Sequence, residues 1–266
     1  MIVCYAAGDG LGHLTRLRSA LHTLAPAGPA TRPVTVVTGS PFAGDPRVTG
    51  GWDVVESAAG LAPDEVIVDA FPAGLKGELT RFPPGTRVTH LARLLRWDAY
   101  RPLLPADPPR FDRTFVLEPL DLAHETYLRT VSDEVVPLAL TDPPSEPIDV
   151  DGWLVVHSGP DLETLELVSY AQDMASAEGV SPPITLVSPQ RPHGLPPGIA
   201  HLDIYPACTP GPDVGRIITA AGFNAVRQYA PWRERHRMLP FPRSLDDQFA
   251  RAARARRDGA ERQGEG

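Results

Sequence analysis

The sequence predicts an α/β protein made of two halves, each with parallel strands covered by helices on both faces. Short apolar runs alternate with amphipathic segments along the chain, which is the pattern of strand–helix–strand units. Residues 141–149 interrupt this alternation with three prolines and no apolar run, as a linker does. The alternation then starts again. We therefore expect domains at residues 1–141 and 151–257, joined by a linker at 142–150.

The N-terminal half begins with an apolar strand at residues 1–7, followed by a glycine-rich turn and a helix. In this helix Leu14, Leu17, Leu21 and Leu24 recur at helical spacing and form one apolar stripe. Further short apolar runs indicate the other strands of a parallel sheet. They lie at residues 33–38, 65–69, 87–91, 113–117 and 134–138.

The C-terminal half repeats the pattern. An amphipathic helix is predicted to end at about residue 177, a short helix follows Gly222, and the last helix covers 245–257. The polar residues 258–266 are expected to form a flexible tail. The strands of this half are predicted at residues 153–157, 184–187, 201–204, 216–219 and 236–239.

Composition excludes several classes of protein. With 42% hydrophobic and 22% charged residues, the chain resembles an ordinary globular protein. A formal net charge of −8 argues against nucleic-acid binding, which needs clustered positive charge. No stretch approaches the roughly 18–20 apolar residues that a transmembrane helix needs. No basic segment precedes residues 1–7, so we expect no signal peptide and a cytoplasmic location. Cys4 and Cys208 are too few for a disulfide framework.

The turn after the first strand carries Gly8, Gly10 and Gly12. Glycines allow a positive φ and a close backbone approach, and the helix that follows presents free N–H groups. The G-x-G-x-G spacing is not the dinucleotide fingerprint, and the second strand ends without an acidic residue, at residues 38–39. A Walker loop would need Gly-Lys-Ser/Thr, which is absent. An acceptor-binding loop and a plain tight turn remain as interpretations.

His13 lies in the first turn of that helix, where the helix dipole favours a neutral imidazole. A neutral histidine suits general-base chemistry. Asp69 ends a neighbouring predicted strand and is positioned to orient the imidazole, as an acidic partner does in other histidine bases. The alternative is a histidine that only caps or packs the helix.

The most specific segment is residues 217–253, in which a strand, a small-residue turn with Gly222, a helix and a second strand precede Asp246-Asp247-Gln248. This segment resembles the donor-binding half of GT-B glycosyltransferases. The likeness is to the bacterial enzyme that adds N-acetylglucosamine to the lipid-linked cell-wall precursor, and to predicted glycosyltransferases related to it. GLGHLTR (10–16), EVIVDAFPAGLKGEL (65–79) and HSGP (157–160) resemble further loops of that family, in the same order.

The resemblance implies two Rossmann-like domains that face each other across a cleft, with the C-terminal helix returning toward the N-terminal domain. It also implies a metal-independent transfer of a hexosyl or N-acetylhexosaminyl group. The donor would be a nucleotide-diphosphate sugar, UDP- or TDP-linked, and the acceptor a hydroxyl of a small molecule or glycan. No cofactor is expected. The D-x-D pattern at 149–151 lies at the end of the linker, so we do not expect it to hold a metal.

The resemblance and the chemistry of a leaving diphosphate select the same site residues. Asp246-Asp247 also fits simple N-capping of the last helix, and capping does not exclude sugar contact. Gln228 stands where the family has an acidic residue at the nucleotide ribose. We expect His13 and Asp69 to serve in catalysis; Gly10, Gly12 and Arg16 to form the acceptor-side loop; and Ser158, Gly159, Gly222, Phe223, Asn224, Gln228, Arg243, Asp247 and Gln248 to bind the donor.

Two other functions fit the same residues. A related group of this fold and length hydrolyses nucleotide sugars, and its G-x-G-H-x-x-R loop matches Gly10, Gly12, His13 and Arg16. The second alternative is a non-catalytic subunit that binds a nucleotide sugar and supports a partner. Product formation with and without an acceptor separates the three.

Overall fold

The computed structural model describes residues 1–25, 32–206 and 209–264. The predictions for Cys208 and for the last two residues of the tail lie outside the described residues. The chain divides into two compact units. Unit 1 comprises Met1–Pro143 and Ser244–Asp246, and unit 2 comprises Pro144–Arg243 and Asp247–Gly266.

Unit 1 contains, in its described residues, a seven-stranded sheet whose paired strands are all parallel. The strand order is β3-β2-β1-β4-β5-β6-β7. The order reverses between β1 and β4, and ligands of open α/β sheets bind at the carboxyl ends of strands beside such a switch point. The strands are β1 (Ile2–Tyr5), β2 (Val34–Val37), β3 (Asp53–Val55), β4 (Glu65–Asp69), β5 (Arg87–Ala92), β6 (Phe111–Val116) and β7 (Ser132–Pro137).

Each helix of unit 1 buries part of its surface. In the first helix the predicted stripe is buried at Leu14 and Leu17, and Leu11 extends it toward the N-terminus. The fourth helix is capped by Asp121, whose carboxylate accepts the backbone N–H groups of Ala123 and His124 in the first turn. The helices are α1 (Leu11–Leu24), α2 (Pro46–Thr49), α3 (Trp97–Tyr100) and α4 (Leu122–Val131).

Unit 2 is built around a five-stranded sheet in its described part, again with parallel pairs throughout. Its order is β11-β10-β9-β13-β14, so the switch point lies between β9 and β13. The strands β8 and β12 pair separately, and β8 lies within the predicted linker. The strands are β8 (Pro147–Ile148), β9 (Gly152–Val156), β10 (Ile184–Val187), β11 (Ala200–Leu202), β12 (Thr209–Pro210), β13 (Val214–Ala220) and β14 (His236–Leu239).

The helices of unit 2 are α5 (Asp161–Ala177), α6 (Phe223–Gln228) and α7 (Gln248–Gly264). The last helix begins three residues later than predicted because Leu245 and Asp246 are extended in unit 1, where they pair with Arg96 and Leu95. It continues to Gly264, through much of the segment predicted as a flexible tail. Across the described residues, no helix has both the length and the apolar character needed to cross a membrane.

Candidate functional site

The switch point of unit 1 brings together His13, Asp69 and Arg16. Asp69 is the last residue of β4, and His13 is the third residue of α1. The His13 Nδ1 atom lies 2.6 Å from Asp69 Oδ2. The Arg16 guanidinium donates to both carboxylate oxygens of Asp69, each at 2.5 Å. The Asp69 and Arg16 side chains are buried, whereas 13% of the His13 side chain remains exposed.

These contacts fix the tautomer of His13. An ionised carboxylate only accepts hydrogen bonds, so Nδ1 must carry the proton that it donates to Asp69. Arg16 Nη2 also lies 3.2 Å from Nδ1, but a protonated nitrogen does not accept a hydrogen bond from it. The lone pair of the neutral imidazole is therefore on Nε2. This is the atom that can take a proton from a substrate.

The surrounding charges keep the pair in the ionisation states that a base requires. Burial opposes ionisation of Asp69, but the Arg16 charge and the bonds from His13 outweigh it and hold the Asp69 pKa below its usual range. Burial lowers the pKa of His13; the bond to Asp69 opposes this, while the Arg16 and Arg93 charges add to it. His13 is thus neutral at neutral pH.

The backbone beyond Asp69 is strained. Ala70 has a φ of +64°, and the Phe71 N–H donates to the Asp69 carbonyl at 2.8 Å, which together form a γ-turn. A positive φ at a residue with a side chain costs on the order of 1–3 kcal/mol, and such strain concentrates at functional sites. The turn places the Phe71 ring 5.8 Å from the His13 ring.

Gly8 contacts the other edge of the His13 imidazole. Its φ is +144°, and a Cβ added there would lie 2.5 Å from His13 Nε2. Gly10, at the N-cap of α1, has only Gly12 N within 4 Å of such a Cβ, at 3.9 Å. A side chain therefore has no room at Gly8 but has room at Gly10. Gly8 was not among the predicted loop residues, which were Gly10 and Gly12.

We expect Gly8→Ala to displace the His13 imidazole and to lower the melting temperature. The methyl group needs the space of the ring and strains a backbone that favours glycine. Gly10→Ala is the matched control, since its φ of −88° suits alanine. Thermal unfolding of both variants, with the NMR signal of the His13 Nδ1 proton, provides the measurement. Equal melting temperatures and an unchanged Nδ1 signal in the two variants would contradict the packing described here.

The Arg16 side chain is buried against Asp69. The sequence places it on the acceptor-side loop, but its side chain is 97% buried and clamps Asp69. Acceptor contact by Arg16 stays a prediction. Its contacts neutralise the Asp69 charge and fix the direction of the carboxylate.

The switch point of unit 2 brings together two predicted loops. Ser158–Gly159 follow β9, and Gly222–Asn224 follow β13, which is hydrogen-bonded to β9. Gly222 caps α6 with a φ of −70°, and a Cβ added there would have nothing within 4 Å. The backbone at Gly222 therefore borders open space, which is the property that a close ligand approach requires.

Glu163 also lies at this edge of unit 2, although no sequence pattern predicted it as a site residue. Both of its carboxylate oxygens accept from Arg243, each at 2.5 Å. Oε2 also lies 3.2 Å from His157 Nε2, and a Cβ on Gly159 would overlap the His157 ring. Arg243, predicted to stabilise a leaving diphosphate, thus already has its charge compensated by a carboxylate.

This ion pair makes a testable contribution to stability. Burial opposes ionisation of Glu163, but the His157 and Arg243 contacts lower its pKa from 4.5 to about 2. A lowered folded-state pKa stabilises the protein above the unfolded value, and the stabilisation is lost as the pH falls toward 2. In urea unfolding, we expect the stability difference between wild type and Glu163→Gln to narrow between about pH 5 and pH 2. A constant difference across this range would contradict the assignment.

The residues of the Asp246-Asp247-Gln248 segment, of which Asp247 and Gln248 are predicted to contact the sugar, each have a partner within their own unit. Asp246 pairs with Arg93 in unit 1. Asp247 accepts the Ala250 N–H at 2.9 Å and caps α7, as the capping interpretation proposed. The Gln248 side chain is buried, and its Oε1 accepts the Phe241 N–H at 3.0 Å. Sugar contact by Asp247 and Gln248 stays a prediction.

Gln228 differs from these residues. Its Nε2 is buried and has no hydrogen-bond partner in the described parts of the chain. Within the same parts, no group of three or more His, Cys, Asp or Glu side chains is arranged to hold a metal ion.

Comparison with known proteins supports the fold. The chain is similar to the crystal structure of the glycotransferase of kitacinnamycin, with a TM-score of 0.52 and 14% sequence identity over 97% of this chain and 84% of that chain. No protein-family model and no curated protein matches the sequence. The protein therefore has a mixed α/β fold with parallel sheets, similar to that of a known glycosyltransferase.

Proposed function

We propose that this protein is a glycosyltransferase that moves a hexosyl or N-acetylhexosaminyl group from a nucleotide-diphosphate sugar to an acceptor hydroxyl. The observation that carries the proposal is the oriented, neutral His13 imidazole at the switch point of unit 1. The likeness in fold to a glycosyltransferase supports it. The facing of two domains across a cleft and the cytoplasmic location stay predictions from the sequence.

In the proposed reaction, His13 Nε2 accepts the proton of the acceptor hydroxyl. The acceptor oxygen bonds to the anomeric carbon of the sugar, and the bond from that carbon to the diphosphate breaks. The leaving nucleoside diphosphate keeps the electron pair of that bond. The imidazolium that forms is stabilised by Asp69, which Arg16 holds ionised.

The donor is proposed to lie at the switch point of unit 2, with the diphosphate against Gly222–Asn224. The first turn of α5 carries Asp161, whose carboxylate repels an anion, and Glu163, whose charge is compensated by Arg243, whereas the first turn of α6 carries no acidic residue. Backbone N–H groups would then stabilise the leaving diphosphate without a divalent metal. Within this proposal, Ser158 and Gly159 line the crevice, Gln228 contacts the ribose, and Asp247 and Gln248 contact the sugar.

The test is a thermal-shift screen with UDP, TDP and their sugar conjugates, with and without a chelator. A ligand present at 100 times its dissociation constant stabilises the folded protein by about 2.7 kcal/mol. We expect UDP or TDP to raise the melting temperature equally in both conditions. If neither nucleotide does so, the proposal fails.

Product analysis then decides the reaction. Sugar transfer to an added acceptor supports the proposal, and release of free sugar in water alone identifies a hydrolase. Nucleotide-sugar binding without either product identifies a non-catalytic subunit.

A further inference from the structure

The turn after β13 is held by a buried arginine from the C-terminal helix. Arg251 is the fourth residue of α7 and is only 3% exposed. Its Nη1 donates to the Ala221 carbonyl at 3.0 Å. Ala221 is itself buried and directly precedes Gly222, so the guanidinium touches the peptide unit that ends in the Gly222 nitrogen.

This contact orients the Gly222 N–H. In a planar trans peptide, the carbonyl and the following N–H point in opposite directions. Holding the Ala221 oxygen against Arg251 therefore turns the Gly222 N–H away from the arginine. The positive charge of the Arg251 guanidinium beside the Ala221 carbonyl also polarises the peptide, which makes the Gly222 N–H a stronger hydrogen-bond donor.

We infer that Arg251 is a positioning residue for the donor diphosphate: it fixes the turn at Ala221–Gly222 and places a buried positive charge behind it. This inference rests on the proposed function, since it concerns the same donor site. It assigns to Arg251 part of the role that the sequence predicts for Arg243, whose guanidinium is held by Glu163. A positive charge beneath the turn stabilises an anion bound above it more than it stabilises an uncharged nucleoside.

The experiment compares Arg251→Ala with Arg251→Lys and with Arg257→Ala, an exposed arginine of the same helix. Calorimetry with UDP and uridine, and in parallel with TDP and thymidine, measures affinity, and thermal unfolding measures stability. We expect Arg251→Ala to weaken diphosphate binding about 10- to 100-fold, the range of a hydrogen bond to a charged group. Uridine and thymidine should bind as in the wild type, and lysine should restore part of the loss.

Three results would overturn the inference. Unchanged diphosphate affinity in Arg251→Ala shows that the turn does not need the arginine. An equal loss for diphosphate and nucleoside shows a purely structural role. If the wild type binds neither UDP nor TDP, the proposed function itself fails and this inference fails with it. Where Arg251→Ala does not fold, Arg251→Gln, which keeps a donor but not the charge, takes its place in the same comparison.

Discussion

Replacing His13 with alanine is expected to lower turnover by about 10²- to 10⁴-fold, the contribution of general-base catalysis. The variant removes Nε2, which is the proposed proton acceptor, and leaves the Asp69–Arg16 ion pair in place. Donor affinity should change little, because the proposed role of His13 is to act on the acceptor hydroxyl and not to bind the donor. Turnover and the donor dissociation constant are therefore measured side by side.

His22→Ala is the matched control, since His22 is an exposed histidine on the same helix. The pH profile adds a second readout. Because the His13 pKa is lowered, the wild-type rate should hold as the pH falls to about 6.5, the ordinary histidine value, and decline only below it. Near-normal turnover in His13→Ala would end the proposal. A loss confined to donor binding would instead make His13 a phosphate contact.

Much of the fold follows from local patterns. The strands at Glu65–Asp69, Ile184–Val187 and His236–Leu239 coincide with their predicted bounds, since each is a short run closed by a turn. Parallel strands covered on both faces give nearly continuous apolar runs, which are easy to recognise. The edge strand β3 gives no such signal, because Asp53 and Val54 are exposed.

Helix α4 was missed for another reason. Its buried face is formed by His124, Leu128 and Val131, so a histidine takes the place of an apolar residue in the repeat. The His124 ring lies 4.4 Å from that of Trp97 and stacks on it. Tertiary packing thus makes a polar residue serve as core, which periodicity alone does not predict.

In the candidate site, too, some contacts could be predicted from the sequence and others could not. The pairing of His13 with Asp69 could be predicted, because both lie next to the carboxyl ends of neighbouring parallel strands. The contact of Glu163 with Arg243 joins residues 80 positions apart, and that of Arg251 with Ala221 joins residues 30 apart. No local pattern specifies which arginine of an arginine-rich chain makes such a contact.

Replacing Gly222 with valine is expected to abolish binding of UDP and TDP. The valine side chain would project into the open space beside the turn, where the diphosphate is proposed to approach the backbone. The fold should tolerate the change, because the φ of −70° and ψ of 151° suit valine and an added Cβ meets nothing within 4 Å. A loss of binding can then be attributed to the ligand site.

The control for this variant is Gly39→Val. Gly39 is exposed and its added Cβ also meets nothing within 4 Å, but it follows β2 of unit 1 and is not part of the proposed diphosphate loop. Calorimetry with UDP and TDP, with and without a chelator, and thermal unfolding of both variants provide the measurements. If Gly222→Val still binds the nucleotides with wild-type affinity, the diphosphate must bind at another loop. If the wild type loses its nucleotide affinity in the presence of the chelator, binding depends on a metal ion and the proposed backbone site is wrong. Backbone N–H groups bind an anion without a cation between them.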